Sequence, residues 1–173
     1  MKHTRDDALV LGIHPASRGI GYTVFEGPLR LVDWGVKETR ENKNRAGIQK
    51  IGELLALYHP SVLVIEAYRG EGSRRAKRIQ ALLDSVTALA RARRVPLRRY
   101  SRGHVRAFFS NYDATTKYQI ATAIAAWLPE LEPRLPPVRK PWMSEDYRMA
   151  IFDAASLSLT HFHHSRGEER GAA

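Results

Sequence analysis

Short apolar runs separated by glycine and proline open the chain and predict a group of strands. The runs are residues 8–13, 20–26 and 29–38. Their short connections favour antiparallel pairing between successive strands. Residues 45–58 then carry apolar side chains at helical spacing, and His59-Pro60 ends this helix. The pattern therefore predicts a βββα opening.

The rest of the pattern alternates strands with helices. Residues 61–68 (SVLVIEAY) form a continuous apolar run, which is typical of a central strand buried on both faces, and Glu66 lies near its C-terminal end. The remaining predicted elements are a basic helix at 73–94, a strand at 97–101 and helices at 104–109, 115–127 and 144–163. This order predicts an α/β fold, a mixed five-stranded sheet with helices on both faces.

Length and composition restrict the class of protein. The 173 residues suit one domain, which we place at 1–166, with a disordered tail at 167–173. No apolar run reaches about 18 residues and the N-terminus is too polar to begin a secretory signal, so we expect a cytoplasmic protein without a membrane partner. Because the chain has no cysteine, disulfides, thiolate zinc sites and a cysteine nucleophile are excluded. Any metal must be held by carboxylates or histidines.

Positive charge is concentrated in one part of the chain. The formal net charge is +10, and the stretch from Arg69 to Arg106 carries twelve lysines and arginines against two acidic residues. Such clustering favours a polyanionic partner, most often nucleic acid, over a merely solvated basic face. The candidate nucleic-acid-binding residues are Arg74, Arg75, Lys77, Arg78, Arg102 and Arg106.

Four stretches, in this order, point to a known family. They are LGIHPASRGIGY, VLVIEAY, RYSRGHVRAFFSNYDATTKYQIATAI and FDAASLSLTHFHHS, and together they span Leu9 to Ser165. With these stretches the chain resembles the RuvC-type Holliday junction resolvases of the ribonuclease H-like superfamily. The resemblance implies a ribonuclease H-like fold and a homodimer on branched DNA. It also implies a nuclease whose acidic residues hold two divalent ions at the scissile phosphate.

The family's acidic positions are only half retained. Its strand-four glutamate falls on Glu66 and one acid of its last helix falls on Asp153. Its first-strand aspartate falls on His14 and its other last-helix acid falls on Ala150. Two carboxylates compensate two magnesium ions poorly, so the charge argues against an unmodified family mechanism.

Other family positions carry basic and aromatic residues. Two basic positions that the family uses near the phosphate fall on Arg106 and Lys117, and Lys117 would stabilise charge in the transition state. Tyr68 is a counterpart, offset by one position, of an aromatic residue that the family uses to unstack bases. The resemblance thus implies a catalytic set of Glu66, Asp153, His14 and Lys117.

The departures leave alternatives open at three places. His14 is either a metal ligand, which would favour ions softer than Mg²⁺, or a hydrogen-bonded structural residue. Glu145 and Asp146 either replace the missing acid, with Asp146 as the additional metal ligand, or belong to a helix start capped by Ser144. A histidine group near residues 161–164 either holds a metal or favours the negative helix end.

Two functions follow from these features. The favoured one is a metal-dependent endonuclease acting on branched or structured DNA, with Mn²⁺ or Mg²⁺ held by Glu66, Asp153, His14 and Asp146. The alternative is a catalytically degenerate RuvC-like module that binds branched nucleic acid without cleaving it. The nuclease is favoured because Glu66, Asp153, Lys117 and Arg106 occur together.

Overall fold

Five strands and five α-helices make up the computed structural model, which describes residues 8–69 and 72–171. The strands are β1 (Val10–Pro15), β2 (Gly19–Phe25), β3 (Leu31–Glu38), β4 (Val62–Glu66) and β5 (Leu97–Tyr100). The helices are α1 (Lys43–Tyr58), α2 (Arg74–Ala92), α3 (Arg102–Ser110), α4 (Lys117–Trp127) and α5 (Met149–Gly171), and a 3₁₀ helix spans Pro129–Arg134.

The strands form one mixed sheet in the order β3-β2-β1-β4-β5. The first three strands pair antiparallel, while β4 pairs parallel to β1 and to β5. The predicted fold class, a mixed five-stranded sheet in an α/β protein, is confirmed. Because β1 and β4 are parallel neighbours, His14 and Glu66 come to the same edge of the sheet.

Helices cover both faces of the sheet, as the order of elements predicts. One core joins β1, β2 and β4 to α1 and α2 through side chains such as Leu11, Ile51 and Val86. The other core joins the opposite face to α3, α4 and α5 and contains Phe109 and Phe152. These two apolar layers fix the sheet between helices, so its carboxyl edge is a rigid platform.

Helix α5 lies unusually close to the sheet because two strand positions are glycine. A Cβ atom on Gly12 would lie 2.2 Å from Ser158 Oγ, and one on Gly21 would lie 2.4 Å from the Ala150 carbonyl oxygen. Any side chain there would push the helix away. The glycines therefore set the height at which Asp153 faces the end of β1.

The last helix differs from its predicted bounds at both ends. It begins at Met149 instead of 144, because Asp146 forms a turn in which its Oδ1 accepts from the Arg148 backbone N–H at 2.9 Å. At the other end it continues to Gly171, past Gly167, where the sequence predicts a disordered tail; residues 172–173 lie outside the described residues. Within the described ranges no helix has the length and apolar character to cross a membrane.

Candidate functional site

Three residues far apart in the sequence meet at the carboxyl edge of the sheet. His14 is near the end of β1, Glu66 ends β4, and Asp153 is in the second turn of α5. His14 Nδ1 lies 3.6 Å from Glu66 Oε2, and His14 Nε2 lies 3.4 Å from Asp153 Oδ2. The imidazole ring therefore stands between the two carboxylates with one nitrogen toward each.

Each of these carboxylates also contacts a cation. Arg102 donates from Nε to Glu66 Oε1 at 3.0 Å. Lys117 Nζ lies 2.8 Å from Asp153 Oδ2 and donates to Glu145 Oε1 at 2.7 Å. Glu145 thus joins the site through Lys117, and the site contains three carboxylates and two fixed positive charges.

The two cations sit at the first residues of capped helices. Ser101 accepts from the His104 backbone N–H and begins α3, so that Arg102 is its first residue. Thr116 caps α4 in the same way, and Lys117 is that helix's first residue. A cation at the positive end of a helix dipole is unfavourable unless an anion lies nearby. Both helix starts therefore favour an anion at this edge.

Electrostatics of the surrounding groups agree with this arrangement. Burial acts to lower the pKa of Arg102, but the charge of Glu66 and the hydrogen bond to it, with Asp153 and Glu145, outweigh burial and raise it above its usual value. Asp146 is bound differently, because its Oδ1 accepts from Arg148 Nε at 2.9 Å and its Oδ2 from Arg148 Nη2 at 2.7 Å. These hydrogen bonds hold the pKa of Asp146 below its usual value.

A cleft of about 590 Å³ opens over the site. His14 and Glu66 line it together with four basic side chains, which are Arg75, Arg102, Lys117 and Arg139. Tyr68, Glu145, Asp146 and Ala150 also line it. A smaller cavity of about 60 Å³ shares lining residues such as His14 and Glu66 with the cleft, and its lining also contains Asp153 and Arg106. Basic side chains and the carboxylates of Glu66, Glu145 and Asp146 thus line one cleft, while Asp153 lines the smaller cavity.

The other basic residues predicted to bind nucleic acid lie on α2, outside the lining of the cleft. Arg74 and Lys77 are exposed in the first turns of that helix. Arg78 donates to Asn44 Oδ1 at 3.4 Å, and its carbonyl accepts from Asn44 Nδ2 at 3.0 Å. Arg75 is also on α2 but lines the cleft. The predicted basic residues therefore fall into two groups, one in the cleft and one on α2 outside it.

The arrangement does not fit the pair of magnesium ions that the resemblance implies. Mg²⁺ needs several oxygen ligands around one point, whereas the His14 ring separates Glu66 from Asp153 and a cation contacts each carboxylate. Across residues 8–69 and 72–171, no three histidine or acidic side chains are arranged to hold a metal ion.

Two atoms at the site nevertheless lack hydrogen bonds. His14 Nδ1 and Asp153 Oδ2 are buried and have no hydrogen-bond partner in the described part of the chain. Lys117 is close enough to Asp153 for an ion pair, but the contact does not have hydrogen-bond geometry. His14 Nδ1 faces Glu66, whereas Nε2 faces Asp153, so these two atoms lie on opposite sides of the imidazole ring and do not form a donor pair for one ion.

The histidines near the end of α5 lie elsewhere. His161 pairs with the Tyr100 hydroxyl at 3.0 Å, and the His164 ring stacks on Tyr100 with 5.3 Å between centroids. Burial lowers the pKa of both histidines. They pack as an aromatic group with His104 and His163.

Comparison with solved structures identifies the architecture. A Thermus thermophilus RuvC structure in complex with Holliday junction substrate matches 92% of this chain and 96% of its own, with 21% identity and a TM-score of 0.67. A second Thermus thermophilus RuvC structure matches with the same coverage, 22% identity and a TM-score of 0.63. The chain has the RuvC fold. The ribonuclease H-like architecture expected from the resemblance is therefore confirmed, while no protein-family model and no curated protein sequence matches the chain.

Sequence reasoning left two cleft residues without a role. The sequence predicts Asp146, and not its neighbour Glu145, as the additional metal ligand. In the structure Asp146 is hydrogen-bonded to Arg148. Arg139 belongs to the proline-rich connection and gives no signal of its own. The path of residues 135–148 beside the cleft brings both to the site, and no local pattern specifies that path.

Proposed function

We propose that this RuvC-like chain binds branched DNA across the cleft at the carboxyl edge of its sheet. The observation that carries the proposal is the convergence of four basic side chains on one cleft, two of them first residues of capped helices. Phosphates of the DNA backbone would replace Glu66 and Glu145 as the ion-pair partners of Arg102 and Lys117. Lysine and arginine contacts of this kind supply most sequence-independent affinity.

The fold supports a branched substrate over a linear one. The matched Thermus thermophilus RuvC was solved with a Holliday junction, and its fold covers nearly all of this chain. A homodimer, as the resemblance implies, would present two such clefts to a two-fold symmetric junction. The basic part of α2 outside the cleft, which includes Arg74 and Lys77, would then contact the arms that leave the branch.

Gel-shift titration of a four-way junction and a linear duplex of the same arm sequences, in EDTA, tests this proposal. We expect the junction to bind more tightly than the duplex, and both affinities to fall as salt increases. Light scattering of the complex at the same time gives the number of chains per junction. Equal affinity for junction and duplex would contradict the selectivity, and affinity that does not depend on salt would contradict the cleft.

Metal-dependent cleavage is the second candidate. The buried His14 Nδ1, which faces Glu66 and has no hydrogen-bond partner among the described residues, favours it. His14 Nδ1 and Glu66 would hold a single softer divalent ion, which would supply Lewis-acid activation of the scissile phosphate. In this proposal Lys117 would stabilise negative charge on that phosphate, and Arg102 would orient it. The net charge of the site favours a single ion over two.

Cleavage assays on the labelled junction in Mg²⁺, Mn²⁺, Co²⁺ or Zn²⁺ separate the two candidates. Cutting by wild type in Mn²⁺ or Co²⁺ that disappears in Glu66→Ala would establish the nuclease. Junction binding without cutting in any metal, together with Mg²⁺-dependent cutting gained by His14→Asp, would establish the binding module. His14→Asp tests the idea directly because it replaces the ring between the carboxylates with a third oxygen ligand.

A further inference from the structure

The connection between the 3₁₀ helix and α5 presents a tryptophan at the rim of the cleft. Trp142 is 78% exposed and lies in a tight turn in which the Met143 N–H donates to the Lys140 carbonyl at 3.0 Å. The residues on either side of the turn, Arg139 and Ser144, line the cleft. A large aromatic ring is thus held in solvent within a few residues of the cationic opening.

The connection is fixed on both sides of this turn. Toward α5, Lys117 holds Glu145 at 2.7 Å, and the Arg18 guanidinium lies 4.9 Å from the centre of the Tyr147 ring. On the other side, the prolines of residues 133–137 restrict the backbone. The tryptophan is therefore presented on an anchored arm, which reduces the entropy lost when the ring is immobilised.

Folding of this chain does not account for the exposed ring. The Lys140 ammonium lies 5.4 Å from the centre of the Trp142 ring, and this cation makes the rim positive. An indole with cations beside it suits a nucleotide. The nucleobase would stack on the face of the indole, and the phosphates would pair with lysine and arginine.

We propose that Trp142 stacks on an unpaired nucleobase at the branch point, with Arg139 and Lys140 neutralising the adjacent phosphates. This inference rests on the proposed function, because it requires a branched DNA in the cleft. An apolar protein partner is the competing occupant. The cations on this arm, continuous with those of the cleft, favour nucleic acid.

Intrinsic fluorescence gives a direct measurement, because Trp142 is exposed whereas Trp34 and Trp127 are partly buried. We expect the junction to quench wild-type emission more strongly than a linear duplex does, and Trp142→Phe to lose this quenching while it keeps junction affinity. Trp142→Leu, which retains apolar surface without a flat ring, should lose about 5- to 100-fold in junction affinity. Leu57→Ala, at an exposed residue on the last turns of α1, is the matched control and should bind as wild type.

Junction binding measured by anisotropy in the same samples separates the two levels of the proposal. A chain that binds the junction without quenching, or a Trp142→Leu variant that binds as tightly as wild type, would overturn the stacking and leave the cleft intact. A chain that shows no preference for the junction would overturn the proposed function and the stacking together.

Discussion

Replacement of Arg139 by glutamine should reduce the salt dependence of junction binding by a defined amount. Arg139 is exposed, lines the cleft and makes no ion pair with another described residue, so its removal leaves no buried charge unpaired. The variant therefore isolates one phosphate contact. This makes it a cleaner probe than Arg102 or Lys117, which hold carboxylates of the site.

The expected size follows from counterion release. If each of the four basic residues that line the cleft neutralises one phosphate, the cleft of one chain contributes about −3.6 to the slope of log K against log salt, and contacts elsewhere on the chain add to this slope. Arg139→Gln removes one of these contacts and should make the slope less steep by about 0.9 for each bound chain, so that its affinity falls about 3.5-fold less than that of wild type between 50 and 200 mM salt.

Fluorescence anisotropy of a labelled junction across a salt series measures both slopes. Arg91→Gln is the matched control, because Arg91 is an equally exposed arginine in the last turn of α2, away from the lining of the cleft. Its slope should equal that of wild type. An unchanged slope for Arg139→Gln, or an equal reduction for Arg91→Gln, would refute the assignment of the cleft as the phosphate-binding surface.

Four further predictions concern the stability of the fold. Asp33→Ala leaves the Tyr58 hydroxyl without its acceptor and should cost about 2 kcal/mol in urea denaturation; a cost near zero would contradict this. Burial raises the pKa of Tyr58 to about 12 from 10.0, so its contribution is complete below pH 10.0 and should be lost as the pH rises through about 12. Tyr58→Phe should lose less stability over this range than wild type, and the remaining loss comes from Tyr22, which donates to the same carboxylate and whose pKa burial also raises. Burial lowers the pKa of His161 below 6.5, so stability should fall as the pH drops below 6.5, and a His161→Gln variant with the same fall would argue against this cause. Gly21→Ala forces α5 away from the sheet at Ala150 and should lower the free energy of unfolding by about 1–3 kcal/mol; thermal unfolding at the wild-type temperature would show that the helix has room.

The histidine near the end of β1 changes what this architecture can do. An aspartate there would add negative charge beside Glu66 and Asp153, whereas the His14 ring separates them. The remaining carboxylates contact Arg102 and Lys117. The site is consequently closer to charge balance than an acidic metal centre, which suits a surface that accepts phosphate.

Patterning alone was sufficient for the sheet and its covering helices. The alternation of apolar runs and turn residues predicts the five strands and their succession with the helices along the chain, because period and turn chemistry are local properties. The start of α5 was misjudged, since Ser144, Glu145 and Asp146 have the composition of a helix start. In the structure Asp146 caps a turn and the helix begins at Met149.

The site was only partly predictable. The resemblance brought His14, Glu66 and Asp153 together, and the fold places them within contact of one another. The orientation of the imidazole ring and the exchange of Glu145 for Asp146 beside Lys117 depend on tertiary packing. One sequence does not specify such packing, because neither residue differs locally from an ordinary loop carboxylate.

Hydrogen–deuterium exchange of the chain with and without a four-way junction tests most directly whether the cleft is the DNA-binding surface. The account predicts slower exchange on binding in the connection at 135–148 and in the turn at 16–18, which border the cleft. Exchange should be unchanged in the β2–β3 turn at 26–30 and at the end of α2. Protection confined to α2 or to the β2–β3 turn, with no change at 135–148, would contradict the account.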